Sequence, residues 1–340
     1  DRYLRKYGAK FVCSRTGREN TYLFSEAFDK RYPYSYQVPR ADFDHLLLIR
    51  SVELGTALKQ PCKVADVLFE DSRAVGVRLE DGSELRAPLV VDASGRGSML
   101  ASRFRAKRRL HGLDQSAVFA HYKGLKRDSG QAGGHIRIVI FEHGWIWLIP
   151  FRGEVTSVGM VVSRDWVNQR QKGEELDSFF DRSLALAPFM NEVLADAERI
   201  SPVRSTADFS YGVSEYAGDG WLCVGDACGF IDPLFSTGAH LAIKGADLAA
   251  EAIDEALKQG DTSRPAFADY EEQMRKASGL FLGIVQAFYD GEFREMLFES
   301  PQRRTLRQVI TSMLGGDVVH NGRTPTWVRF VHGRFPARYD

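Results

Sequence analysis

The alternation of apolar and polar residues predicts short strands over 9–13 and 20–24, followed by an aromatic loop, Tyr32-Pro33-Tyr34-Ser35-Tyr36. Pro39-Arg40-Ala41-Asp42 then opens a helix whose apolar positions Phe43, Leu46, Leu47 and Val52 recur at the helical period. Segments 62–69, 73–79 and 83–91 return to the two-residue period of strands, with Glu80-Asp81-Gly82-Ser83 as a hairpin turn. Residues 98–109 read as a short helix carrying Arg103, Arg105, Lys107, Arg108 and Arg109. From about 116 to 163 the strands lengthen (AVFAHYKGL, HIRIVIF, WIWLIPF, TSVGMVV), which predicts a mostly antiparallel sheet separate from the first unit. Helices over 173–186 and 188–198, a strand near 203–210 and the apolar strand Trp221-Leu222-Cys223-Val224 follow. Further helices over 239–258 and 266–290 close the main body, and the tail from 300 is basic and turn-rich.

The helix over 239–258 is small-sided: Ala239, Ala242, Gly245, Ala246, Ala249 and Ala252 permit close approach of a neighbour. It is preceded by GDACGFIDPLFSTG, where an acid, Asp226, stands next to Gly225 just after a buried strand and can reach a sugar-like hydroxyl. Taken alone, Gly-Asp is more often an ordinary turn. Thr237, Gly238 and Ala239 stand at the helix N-terminus, whose free N–H groups and dipole favour an anion unless Ser236 or Thr237 caps them. Asp92-Ala93-Ser94-Gly95-Arg96 gives a second close backbone approach after a strand, without the spacing of a nicotinamide fingerprint. Trp145 and Trp147 share one face of their strand, as flat walls for a ring or as plain packing. Lys6 and Lys10 would ordinarily be solvated.

Composition narrows this modestly. The chain has 340 residues, enough for one large or two ordinary domains, and its formal net charge of +0 gives no argument for a nucleic-acid partner. No apolar run approaches the roughly 20 residues of a membrane span. The four cysteines form no C-x-x-C pair and read as reduced thiols in a cytoplasmic protein. The histidines have no metal-ligand spacing, so no metal is expected.

Together these residues resemble the flavin-dependent halogenase family, within the FAD monooxygenases of the hydroxybenzoate-hydroxylase type. Its Asp-Gly-type motif is similar to 92–96 and its Gly-Asp motif to Gly225-Asp226-Ala227. Two longer patterns match in full: W-x-W-x-I-P at Trp145, Trp147, Ile149 and Pro150, and F-x-x-P-x-x-S-x-G at Phe230, Pro233, Ser236 and Gly238. The resemblance implies an α/β (α+β) fold. A doubly wound, three-layer FAD domain would comprise 1–112 and 205–295, with an inserted antiparallel-sheet substrate domain at 113–204 and a C-terminal extension at 296–340.

The resemblance also implies roles. FAD would contact Arg40, Val64, Asp92, Gly95, Arg96, Gly225, Asp226, Pro233, Gly238 and Ala239. A separate flavin reductase would supply FADH2, and chloride or bromide would sit at Thr237 and Gly238. Hypohalous acid would then reach a relay lysine, Lys6 by the K-x-G-A-x-F context, with Trp145, Trp147 and Ser236 completing the catalytic set. Tryptophan-type members usually carry Glu where this chain has Phe235. That departure favours a phenol- or pyrrole-like substrate, free or tethered to a carrier protein. The family's N-terminal strand, G-x-G-x-x-G and helix, about 60 residues, has no counterpart in this sequence, so weak FAD binding is expected unless that segment exists in the native protein. A monooxygenase or reductase of the same fold, or a non-catalytic remnant, are the alternatives.

Overall fold

Strands Gln115–Lys123, Ile136–Phe141, Gly144–Pro150 and Thr156–Ser163 form the middle of an eight-stranded sheet in the computed structural model, which describes residues 2–299, 304–316 and 326–339. The last three make an antiparallel meander, and Gln115–Lys123 pairs antiparallel with Thr156–Ser163. On the far side Gly8–Cys13 adds parallel to Ile136–Phe141, with Glu19–Leu23 antiparallel beyond it. These ladders draw the described part of Asp1–Thr56 into one compact unit with Asp114–Asp208 and Gly291–Asp317. The expected division grouped 1–112 with 205–295; backbone pairing instead assigns the first strands, and Arg204–Ala207 on the edge of Gln115–Lys123, to the large sheet.

Alternation along Gly144–Pro150 sorts its side chains between two faces. Ile146 and Leu148 are fully buried in a core with Val118, Met160, Phe179, Phe180 and Met190. Helices Leu176–Ala185 and Pro188–Leu194 supply the last three of these. Trp145 and Trp147 take the opposite face.

The second unit takes in the described residues of Ala57–Leu113, Phe209–Asp290 and Val318–Asp340. It has three three-stranded sheets. Val90–Asp92 runs parallel to Trp221–Cys223, and Ala217–Gly218 pairs antiparallel with the latter. The expected strand over 83–91 is two strands in separate sheets, Glu84–Arg86 and Val90–Asp92, because Pro88 between them has no N–H to give a ladder. The expected helix over 98–109 spans only Met99–Arg103. Arg105, at φ 52°, turns the chain, and Lys107–Arg109 pairs with Tyr211–Val213 as a strand, so the basic run is no helix face.

Helices Thr237–Gln259 and Ala268–Tyr289 pack closely. A Cβ on Gly245 would lie 3.0 Å from Met274 Cε, which is why small residues line that side. The helix Arg40–Glu53 differs from expectation in burial: none of its residues is buried, and its apolar stripe faces no core among the described residues. The expected extension 296–340 is divided. Arg304–Leu314 joins the sheet unit through Arg307, which donates to Glu26 at 2.7 Å. Thr326–Arg334 joins the other unit, while 300–303, 317–325 and 340 lie outside the described residues. Among the described residues no helix is long and apolar enough to cross a membrane, and no cluster of His, Cys, Asp and Glu could hold a metal ion.

Candidate active site

In the second unit, parallel pairing of Val90–Asp92 with Trp221–Cys223 brings their two turns side by side. Buried Asp92 spends both carboxylate oxygens on backbone, accepting from Ser94 N at 2.9 Å and Leu100 N at 2.8 Å. It therefore shapes the turn that holds Gly95 and exposed Arg96. Tyr211 links the turns: its hydroxyl donates to the Asp226 carbonyl at 2.5 Å and receives the Ser98 hydroxyl at 3.3 Å. Lys107 Nζ lies 4.6 Å from the Tyr211 ring and donates to the Arg96 carbonyl at 2.7 Å.

Gly225, Asp226, Thr237 and Gly238 line a cavity of about 410 Å³, together with Tyr211 and Asp232. Gly225 adopts φ 58°, which favours glycine, and a Cβ on Gly238 would lie 3.0 Å from the Phe230 ring. The helix beginning at Thr237 has no side-chain cap: Ser236, exposed at φ 56°, makes no capping bond. The self-capped alternative is thus not realised, and the N-terminal N–H groups of a 23-residue helix are left available to an anion. Bare glycine backbone, a half-buried carboxylate and an uncapped helix end fit the ribityl chain and electron-rich ring of a flavin with a halide beside it. Pro233 accepts from Ser236 N at 3.0 Å and so closes the turn before the helix. Ala239 is exposed in the first helical turn, and Val64 is half-buried at the start of its strand; neither lines the cavity.

Asp232 escaped the sequence reading. It is 1% exposed, and its carboxyl accepts from Leu234 N and from the Tyr289 hydroxyl, each at 2.9 Å. Burial pushes it up to about 7, against the opposing pull of those two donors. Its bond to Leu234 N sets the loop that leads into Ser236. Only the fold shows this role, since a turn acid before proline reads as solvated.

In the sheet unit, Lys6 ends the short strand Leu4–Lys6 and is 8% exposed, contrary to the solvated position expected of a lone lysine. Its Nζ lies 5.6 Å from the Phe24 ring, and it forms no ion pair among the described residues. Burial alone lowers it from 10.5 to about 8. Trp145 is 1% exposed, and its ring centroid lies 5.9 Å from that of half-buried Trp147. Trp147 donates to Ser157 Oγ at 3.1 Å and lies over Gly159, where a Cβ would stand 2.1 Å from the indole. Arg40 begins its helix and forms an exposed bidentate pair with Asp44 at 2.9 Å.

A mixed α/β fold with a glycine-walled cavity at a helix N-terminus is that of FAD-dependent oxidoreductases. Residues 4–307 match the tryptophan halogenase family. The chain belongs to that family and is a flavin-dependent halogenase. It is 32% identical over 288 residues to a 1H-pyrrole-2-carbonyl-peptidyl-carrier-protein brominase of Pseudoalteromonas luteoviolacea, covering 83% of this chain and 70% of that protein. A chlorinase of the same carrier-bound group from Pseudomonas fluorescens is 30% identical over 346 residues, covering 94% of this chain and 76% of the relative. Among solved structures, the flavin-dependent brominase Bmp2 superposes with a TM-score of 0.85 at 27% identity, over 98% of this chain and 82% of that one. The myxobacterial chondrochloren halogenase CndH gives 0.78 at 29% identity over the same shares.

Proposed function

We propose that this enzyme halogenates an electron-rich, pyrrole-like ring presented as a carrier-protein thioester, with a separate reductase supplying its FADH2. When bound, FADH2 would reduce oxygen by two electrons to the peroxide level, and that peroxide would be the oxidant that converts chloride or bromide to hypohalous acid. The chain's own residues do the rest. The N–H groups at Thr237 and Gly238 hold the halide, and Asp226 accepts from the ribityl hydroxyls. Asp92 keeps the Gly95-Arg96 turn in shape for the cofactor. Arg40 exchanges Asp44 for a phosphate: an exposed i,i+4 pair is worth about 0.3–0.5 kcal/mol, much less than a bidentate bond to phosphate. Trp145 and Trp147 exclude water and keep the substrate ring from the flavin itself, and Lys6 hydrogen-bonds the hypohalous acid and directs it at the ring. Phe235, buried where tryptophan-type members carry Glu, supports a substrate other than free tryptophan. The printed activities of the pyrrole-carrier brominase and chlorinase support the tethered ring.

Lys6 is the observation that carries this reading. A buried amine without a counter-ion costs stability and is kept where its chemistry is needed. The test supplies reductase, FAD, bromide or chloride and a pyrrole-2-carbonyl carrier protein. Lys6→Met, which keeps the volume, should still oxidise FADH2 and release peroxide but lose halogenated product by roughly 10²-fold or more. With Lys6 titrating at about 8, wild-type halogenation should decline above that pH while flavin oxidation does not. Unchanged product yield in the variant would remove Lys6 as the relay.

A further inference from the structure

The cavity at the uncapped end of helix Thr237–Gln259 also has a buried acid in its wall. Asp232 lines it together with Thr237 and Gly238, in the loop that leads into the helix. The carboxyl is shut from water and accepts from Leu234 N through Oδ1 and from the Tyr289 hydroxyl through Oδ2. Both donors are neutral, and among the described residues no cation pairs with it. A carboxylate so enclosed has lost most of its hydration and gained no opposite charge in return. Burial therefore favours the neutral acid up to about pH 7.

The other groups around this cavity behave differently. Burial raises the Tyr211, Tyr216 and Tyr339 hydroxyls above the ordinary phenol value and pushes the Cys228 thiol up to about 12, so all four stay uncharged near neutral pH. Arg275 pairs with Glu271, and exposed Arg108 donates to the carbonyls of Arg105 and Lys107; both guanidiniums keep their charge. In the first turns of the helix, burial and the nearby Lys244 lower His240. Beside Tyr289, Asp290 pairs with Arg338. Of the two carboxyls in the wall, Asp226 is half-buried, and Asp232 is the one shut from water.

We propose that Asp232 must be a neutral acid for the halide to bind well, so that above neutral pH chloride or bromide enters the site together with a proton from solvent; the inference rests on the reading of the Thr237 and Gly238 N–H groups as the halide site. A carboxylate in the wall of a cavity of about 410 Å³ and a halide ion inside it stand on the order of 10 Å apart, where water screens them poorly. At that separation their repulsion weakens halide binding about tenfold. The entering proton converts the carboxylate to the acid and removes the repulsion, so one anion and one proton leave the net charge of the site unchanged. By linkage the bound halide makes the acid harder to ionise to the same degree.

The test titrates bromide into the FAD-loaded enzyme by calorimetry at pH 6, 7.5 and 9, with the middle titration repeated in two buffers of different ionisation heat. The wild type should bind bromide about tenfold more weakly at pH 9 than at pH 6 and take up about half a proton per bromide at pH 7.5. Asp232→Asn, which keeps an acceptor for Leu234 N, should bind bromide equally at all three pH values, with the affinity of wild type at pH 6, and take up no proton. A thermal melt checks that the variant is folded. A wild-type affinity that stays constant from pH 6 to pH 9, or one that falls equally in the variant, overturns the coupling and leaves the halide site standing. If the wild type binds no bromide at any of these pH values, the halide site at the helix end fails and the coupling with it.

Discussion

At the scale of single residues, the two groups with the largest consequences are buried ionisable side chains that neither motif names. Lys6 and Asp232 are each shut away from water, one without a counter-ion among the described residues and the other with two neutral donors. Asp232 gives a test of stability. Its carboxyl titrates at 3.8 in the unfolded chain and at about 7 in the folded one, so between these values the folded state holds a proton that the unfolded state has lost. The contribution of Asp232 to stability is therefore greatest below 3.8 and is lost as pH rises to about 7. Asp232→Asn keeps the shape and an acceptor for Leu234 N but does not titrate. Relative to wild type, it should gain roughly 2–3 kcal/mol between pH 5 and pH 8 in urea unfolding. A constant difference across that range would show that Asp232 ionises as freely in the fold as in water. The turn that carries Asp226 and Gly238 and the strand that carries the tryptophan pair were legible in the sequence, because both are written in short local patterns. Asp232, Tyr211 and Tyr289 were not, since their partners lie 57, 15 and 57 residues away in the chain.

Among the elements, the strand Gly144–Pro150 of one unit and the helix Thr237–Gln259 of the other depend on glycines for different reasons. On the sheet, Gly159 lies opposite Trp147 in the antiparallel register and leaves room for the indole to lie flat. Any Cβ there would meet the ring at 2.1 Å and Phe119 Cβ at 2.6 Å. Gly159→Val should cost about 1–3 kcal/mol of stability by overpacking and change the near-UV dichroism of the displaced indole. An unaltered spectrum would mean that Trp147 is not held over that strand. On the helix, Ser236 at φ 56° and the lack of a side-chain cap turn the first N–H groups toward whatever lies in front of them. The element's existence was plain from sequence, for Gly238 and the run of alanines announce a close-packed helix. Its start at Thr237, two residues earlier than the periodic pattern indicates, was settled by the left-handed turn.

For the whole molecule, cofactor binding couples to folding. FAD at 100 times its Kd should stabilise the protein by about 2.7 kcal/mol, read as a rise in melting temperature of a few degrees. In Asp226→Ala that rise should largely disappear while the melting temperature without FAD stays close to wild type. Equal shifts in the two proteins would exclude Asp226 from the flavin contact. The sequence by itself determined the halogenase motifs, the antiparallel strands of 116–163 and the small-sided helix, because each is written in local spacing and side-chain size. Tertiary structure alone decided which sheet claims the first strands, that the basic run 107–109 is a strand, and that Lys6 is buried. These outcomes rest on hydrogen bonds and desolvation between residues far apart in the chain, and no local pattern of apolar and polar positions encodes such pairings.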